Sequence, residues 1–367
     1  MKILYVEPYY SGSHKHWIDS YKKYSKHKID ILSLPGKKWK WRMHGGAITL
    51  AKFFNRLNKS FDIIICSDML NLPIFKSLCN KKILYSKIVM YYHENQLTYP
   101  WSPEDVDVTN NRDLHYAFIN YTSSLISDYN YFNSQYHYES YMDGLKKYLN
   151  KMPDFQNKKT IDEIKYKSDI LHIGCELKNN FTNKLIKKKN KPIILWNHRW
   201  EYDKNPDLFF KTLFEIKKNG IKFSLVVLGK KYKKYPEIFN KAQKVLKNEI
   251  IHFGFCDSRD EYLSWLKKSD ILPVTSNQDF FGISIVEAVC SNCYPILPNR
   301  LTYPELFGIK DNPEYFYHKD NDLKNKIIES IININQLSLK VSKISKELIE
   351  KYDWSVIVKK YDSIFYK

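Results

Sequence analysis

The chain reads as an α/β protein of two domains, each a parallel sheet wrapped by helices. Three observations predict this. Short apolar runs alternate with helical segments along almost the whole chain. Those runs, Phe61–Cys66 and Ile88–Tyr92 for example, are continuously hydrophobic, as strands buried on both faces of a parallel sheet are. The pattern stops at about Lys178–Lys191, a polar, cationic, aperiodic stretch, and then begins again.

In order, Lys2–Val6 is the first strand, broken by Pro and Gly in Glu7–Lys15, and a helix follows from about His16 to Tyr24. Ile29–Leu34, Phe61–Cys66, Ile88–Tyr92, Tyr129–Phe132 and Asp169–Ile173 are further strands. Asn133-Ser134 offers an N-cap to the helix after it. The second half restarts with the strand Pro192–Trp196 and the helix Pro206–Lys218, with proline in its first turn. The strand Phe223–Leu228 ends at Gly229. The helix Pro236–Leu246 and the strand Ile250–Phe253 come next. Ser258 and Glu261 form a capping box for a helix to about Lys268. Asp270–Val274 and Cys293–Leu297 are strands, and the tail from about Asn321 is helical. The segment Asp353–Tyr366 is amphipathic through Val356, Ile357, Tyr361, Ile364 and Phe365. The expected division is 1–180, 190–350, and a closing helix over 351–367 that crosses back to the first domain. Each half opens as a Rossmann-like unit.

Composition bounds the function. The 367 residues suffice for two domains, and 43% hydrophobic content can build their cores. The net charge of +19 accompanies heavy use of Lys, Asn, Ile and Tyr, and its field attracts polyanions, nucleic acid first among them. Six scattered cysteines favour a reducing compartment. Cys290 and Cys293 have C-x-x-C spacing without a second pair, so they read as core cysteines at a helix end. The chain opens directly on a strand pattern, and no apolar stretch reaches bilayer length. A cytoplasmic protein without stable membrane association is expected.

Chemistry concentrates after strands. Asp279 and Glu287 stand eight positions apart across a turn through Phe281, Gly282 and Ile283 into a helix. Such a helix start offers N–H groups to phosphate, and a carboxylate further along can take ribose hydroxyls. A nucleotide-sugar site fits better than a pair of glycosidase acids. Arg199 and Lys204 share one loop after a strand, suited to neutralising a diphosphate leaving group. No D-x-D motif stands at a matching strand end, so no metal and no cofactor are expected. His93, Glu94, Asn95 and Gln96 follow a strand at the sheet edge where ligands bind. Gly12, with His14 in the same loop, lets backbone approach a ligand closely. Lys37, Lys38, Trp39, Lys40, Trp41 and Arg42 interleave cations with indoles, which suits RNA phosphates and bases; the alternative is a solvated basic loop.

Together these stretches resemble the tRNA-queuosine mannosyltransferase family of retaining GT-B glycosyltransferases. The resemblance rests on 12–15, 37–42, His-Glu-Asn-Gln-Leu-Thr-Tyr-Pro at 93–100, 132–134, 198–206, 280–282, 286–289 and 303–307. The wider superfamily carries E-x7-E, where this chain has Asp279 first and Glu287 second. The resemblance implies two Rossmann-like domains facing across a cleft. It also implies transfer of mannose from GDP-mannose to queuosine in a tRNA anticodon. By analogy His93 and Asp279 lie at the transferred sugar, Arg199 and Lys204 at the diphosphate, Glu287 at the ribose, and Gly12 lines the cleft. His14, Glu94, Asn95 and Gln96 fall on the acceptor side. Two other readings stay open: a transferase of this fold acting on a lipid or cell-surface glycan, and an inactive RNA-binding relative.

Overall fold

A computed structural model describes residues 1–102, 105–110, 114–178 and 191–364, the side chains of 109, 338 and 339 excepted. The linker expected at Lys178–Lys191 and the last apolar residue of the closing segment, Phe365, lie largely or wholly outside them. The chain divides into two compact units, Met1–Gly174 with Trp354–Lys367, and Cys175–Asp353.

Unit 1 runs β1 (Lys2–Tyr10), α1 (Gly12–Tyr24), β2 (Lys28–Pro35), α2 (Trp39–Asn55), β3 (Ile63–Ser67), α3 (Leu72–Leu78), β4 (Lys87–Tyr92), α4 (Val106–Thr109), α5 (Leu114–Ile126), β5 (Tyr129–Phe132), α6 (Gln135–Leu149), α7 (Thr160–Tyr166) and β6 (Ser168–Ile170). Its six strands are parallel, in the order β2-β1-β3-β4-β5-β6. The order reverses between β1 and β3. Loops leaving those strands therefore diverge and open a crevice at their carboxyl ends, where an open α/β sheet binds ligands. The first strand runs past Pro8 to Tyr10 rather than stopping at Val6. A register shift between Glu7 and Tyr10 accommodates the proline, which has no N–H to give the ladder. The helix after it starts at Gly12, four residues before the expected His16.

Unit 2 runs β7 (Ile193–Trp196), α8 (Pro206–Lys218), β8 (Ser224–Val227), α9 (Ile238–Val245), β9 (Ile250–Phe253), α10 (Arg259–Lys268), β10 (Ile271–Pro273), α11 (Ile283–Cys290), β11 (Tyr294–Pro298), α12 (Tyr303–Phe307), β12 (Phe316–Tyr317) and α13 (Asp320–Tyr352). Its sheet is also parallel, in the order β12-β11-β10-β7-β8-β9, and reverses between β7 and β10. Cys290 and Cys293 are fully buried, and the Cys293 thiol points at the Leu266 carbonyl 3.3 Å away, so both are core residues.

The last helix, α14 (Trp354–Ile364), belongs to unit 1. Its Tyr361 hydroxyl accepts from Trp17 Nε1 of α1 at 3.1 Å, and the Tyr21 hydroxyl donates to Asp362 at 3.2 Å. Trp17, Trp354 and Tyr361 are buried, so the aromatic burial that fixes α1 comes from both ends of the chain.

Candidate functional site

In unit 2 the residues after β7 and β10 meet at the reversal point. After β7 the chain turns through Asn197, His198 and Arg199 into a short 3-10 turn, Tyr202–Lys204. Asn205 then takes φ +51 and its side chain caps α8, accepting from Leu208 N at 3.3 Å. The loop after β10 is tied to this turn. Asn277 N donates to the Asp203 carbonyl at 2.8 Å, and the Thr275 hydroxyl to the Lys204 carbonyl at 2.9 Å. Arg300 holds the same loop from behind, donating to the Ser276 and Thr275 carbonyls at 3.1 Å each.

Lys204 and Asp279 are joined directly. The buried ammonium donates to Asp279 Oδ1 at 2.9 Å and to the Gln278 carbonyl at 2.5 Å, with Asp203 Oδ2 3.1 Å away. Burial opposes the charge on Lys204, but Asp279 and Asp203 outweigh it and raise its pKa. Burial works likewise to raise Asp279. Lys204, His198 and the Tyr303 hydroxyl, which donates to Oδ2, hold it below the usual value instead. Gly282 caps α11 at φ +81 with no side-chain cap, so the Ile283 and Ser284 N–H groups are left for an anion, while Ile285 N already donates to the Gly282 carbonyl at 3.0 Å. Phe281 beside it is buried.

One turn further, Glu287 is buried and held by Arg259 of α10, whose NH1 lies at 3.3 Å and whose NH2 is closer still. The Tyr262 hydroxyl donates to the same carboxylate at 3.2 Å. Several buried polar atoms among the described residues here have no hydrogen-bond partner: Asn197 Oδ1, His198 Nε2, Gln278 Nε2 and Asp203 Oδ1, the other Asp203 oxygen being ion-paired with Lys204. Such atoms are scarce in folded interiors, and together at one sheet edge they mark where a polyhydroxylated ligand would complete the bonding. Burial, with Lys204 and Arg199, holds His198 down to about 4 against the pull of Asp279, so it is neutral. Arg199 is half exposed and pairs with Glu201 at 3.1 Å.

In unit 1, His93 follows β4 and is buried. Its backbone N–H donates to Asp68 at 2.8 Å and its carbonyl accepts from Asn133 at 2.9 Å, so the loop is pinned from both neighbouring strands. The Tyr5 hydroxyl lies 3.4 Å from Nε2, while Nδ1 has no partner. The His14 ring is 4.2 Å away, and His14 Nδ1 bonds Glu7 at 2.9 Å. Gly12 takes φ +54 at the start of α1, and the space where a Cβ would stand is open. Asn95 spends its Oδ1 on the turn, accepting from Leu97 N at 3.1 Å and Thr98 N at 3.0 Å. Gln96 Nε2 donates to Glu94 at 3.1 Å. The same loop lines a cavity of about 790 Å³ with Gln96, Tyr99, Trp101, Tyr136, Lys147 and Lys151 among its walls.

The basic aromatic stretch splits on entering α2. Trp39 packs at 6.0 Å from Trp101 and 5.1 Å from Tyr116, and Lys40 pairs with Asp105 and Asp107 at 2.5 Å. Trp41, Lys37 and Lys38 face outward, and Arg42 Nε donates to the Pro35 carbonyl at 3.1 Å. Among the described residues, one group of potential metal ligands exists, His252, Cys256 and Glu261 within 4.8 Å. Glu261 there already accepts from Asp257 N at 3.0 Å; of the expected capping box the Ser258 half forms, its hydroxyl accepting from Glu261 N at 3.1 Å, while the Glu261 carboxylate reaches one residue further back than Ser258.

Reasoning from sequence missed Glu7, Asp68, Asn197, His198, Arg259, Tyr262 and Tyr303. Arg259 and Tyr262 had no signal, since they come from a helix distant in sequence from Glu287. Asp68 had one, a carboxylate directly after a buried apolar strand.

A doubly wound domain with a cationic loop, an uncapped helix start and a carboxylate one turn inside it, joined in one chain to a second such domain, defines a glycosyltransferase of the GT-B class. Solved structures share this fold: sucrose-phosphate synthase from Thermosynechococcus elongatus at a TM-score of 0.74 and 12% identity, covering 100% of this chain and 98% of that one. A glycosyltransferase from Rickettsia africae gives 0.66 at 17% identity, covering 99% and 97%. Residues 2–175 match the model of the tRNA-queuosine alpha-mannosyltransferase N-terminal domain, and 178–348 that of glycosyl transferases group 1. The tRNA-queuosine alpha-mannosyltransferase of Drosophila melanogaster is 35% identical over 338 residues, 89% of this chain and 85% of that protein. The chain belongs to the tRNA-queuosine alpha-mannosyltransferase family.

Proposed function

We propose that this chain transfers mannose from GDP-mannose to the cyclopentenediol of queuosine in a tRNA anticodon, with retention at the anomeric carbon and without a metal. The observation that carries the reading is the 35% identity to the Drosophila enzyme over 89% of the chain. The site supports it chemically. Unit 2 gathers cations, an uncapped helix start and unpartnered polar atoms, the needs of a nucleotide sugar. Unit 1 places the aromatic and cationic cavity beside the His93 loop, and the net charge of +19 favours an RNA partner. In this reading His93 and Asp279 contact the transferred sugar, Arg199 and Lys204 the diphosphate, and Glu287 the ribose. The leaving phosphate takes the acceptor proton, so no side chain acts as nucleophile.

The test is direct. Queuosine-containing tRNA is incubated with the purified chain and a panel of nucleotide sugars, and digested nucleosides are read by mass spectrometry. A hexose added to queuosine only with GDP-mannose is the expected result. Unchanged queuosine with every donor would sink the proposal.

A further inference from the structure

The fold treats two histidines at the unit 1 crevice in opposite ways. Glu7 is fully buried at the irregular end of β1. Its carboxylate accepts from the Tyr5 hydroxyl at 2.9 Å, the Tyr9 N–H at 2.8 Å, the Ser67 hydroxyl at 3.0 Å and His14 Nδ1 at 2.9 Å. Two bonds reach each oxygen, so the group is satisfied as an acceptor, and the network assigns a proton to His14 Nδ1. His14 sits in the first turn of α1 and is itself buried. The ring 4.2 Å from it, His93, has a buried Nδ1 with no partner.

We propose that Glu7 is a positioning residue that keeps His14 an imidazolium, so that unit 1 presents its ligand with a fixed cationic donor at His14 beside an uncharged His93. The proposal rests on the glycosyl-transfer reading of this crevice. The charged and titratable groups around His14 are Glu7 from β1, Asp68 after β3, and His93 and Glu94 after β4, with the Tyr9 ring 6.5 Å away. Burial alone would drive His14 neutral. The charge and hydrogen bond of Glu7, with Asp68 and Glu94, reverse that and raise it to about 9. Burial first, then the neighbouring His14, pushes His93 well below its ordinary value. Burial also lifts Asp68, to about 7, against the pull of His14, and the carboxylate hydrogen-bonded directly to His14 is Glu7, at 2.9 Å.

Paired titratable groups driven apart by their surroundings are how a site divides its roles. With Nδ1 tied to Glu7, His14 has Nε2–H left for a ligand oxygen. A charged donor there stabilises negative charge, and being already protonated it takes no proton from an acceptor hydroxyl. His93, neutral, meets the same ligand without adding a second charge.

Two measurements test this. Nitrogen-15 NMR of histidine-labelled protein reads His14 directly, without substrate. The wild-type ring stays protonated at pH 7.5 and titrates near 9, and Glu7→Gln returns it toward the ordinary imidazole range of about 6.5. In turnover, wild-type kcat/KM is level from pH 6.5 to 8, while Glu7→Gln gains a limb falling about tenfold per pH unit above its new pKa. A merely structural Glu7 would lower activity equally at every pH. A wild-type His14 neutral at pH 7.5 overturns the inference, and so does a Glu7→Gln profile parallel to wild type. If Glu7→Gln does not fold, the wild-type NMR titration decides alone. A chain that leaves queuosine unmodified yet shows His14 charged would fail on function and stand on this point.

Discussion

Lys204→Met isolates the electrostatics of unit 2. The ammonium it removes is buried and shared by Asp279, Asp203 and the Gln278 carbonyl. Methionine fills most of the volume, so the loss is charge rather than packing. Two buried carboxylates are then left without their cation, and removing one partner of a buried ion pair costs roughly 3–5 kcal/mol. In a unit of about 180 residues, 1 kcal/mol shifts Tm by roughly 2–4 °C, so a fall on the order of 10 °C is expected at pH 8. Calorimetry at several pH values is the assay, because the penalty depends on ionised carboxylates. In the wild type Asp279 is held below its ordinary pKa, so its contribution is present above the unfolded value and lost as pH falls through the folded one. In the variant the stranded carboxyl rises above that value, and its penalty fades as pH falls and it takes up a proton. The Tm gap between wild type and Lys204→Met therefore narrows from pH 8 to pH 4.5. Lys204→Met with Asp279→Asn recovers part of the gap at pH 8, a coupling that adjacent groups show and independent ones do not. A gap that stays constant with pH, and is not reduced by Asp279→Asn, refutes the reasoning.

Three further outcomes follow from the geometry. Trp39→Ala lowers stability by roughly 3 kcal/mol because its ring packs on Trp101 and Tyr116, while Trp41→Ala stays within about 0.5 kcal/mol and instead weakens tRNA binding about tenfold in a filter or anisotropy assay. Gly229→Ala destabilises by at least roughly 3 kcal/mol, read by urea titration, because a Cβ would stand 1.9 Å from the His198 carbonyl oxygen at φ +110. The His14 pairing is pH-dependent with a definite sign. Its folded pKa of about 9 exceeds the unfolded value, so its stabilisation, roughly 3 kcal/mol, is complete below about pH 6.5 and lost as pH rises through 9. The stability difference between wild type and His14→Gln, from denaturant titrations at pH 6 and 9.5, should shrink accordingly.

The fold was legible because parallel strands buried on both faces write themselves as apolar runs. Ile271–Pro273 lies inside the run that announced it, and Ile63–Ser67 overlaps the Phe61–Cys66 run, ending one residue beyond it. What misled was local chemistry overruled by the ladder. Pro8 looked like a strand breaker, yet β1 absorbs it at an irregularity and thereby sets Glu7 against His14. The site was legible where a side chain and its partner lie in one segment or follow a strand, as Gly282 with Glu287 and His93 do. It was illegible where partners come from different helices. Nothing near Glu287 in sequence announces Arg259 or Tyr262, and nothing near Lys204 announces Tyr303 acting through Asp279.

Those hidden partners change how the residues proposed for the donor side would work. Lys204 and Glu287 are not bare charges waiting in the free protein. Lys204 holds the 277–282 turn to the loop after β7, and Glu287 is clamped by Arg259 and Tyr262. A diphosphate arriving at the start of α11 would share an ammonium already balanced by Asp279 and Asp203. Arg199 is likewise paired, with Glu201, so the positive end that the diphosphate meets without a paired carboxylate is the helix N-terminus. The buried lysine thus contributes shape more than attraction: it ties the turn carrying Gln278 and Asp279, just before the start of α11, to the loop after β7. Asp279 fits that arrangement. A carboxylate pinned by Lys204 on one oxygen and Tyr303 on the other is rigid, and its length is matched to that pair. Lengthening it to glutamate would push the carboxylate off at least one of the two groups that orient it.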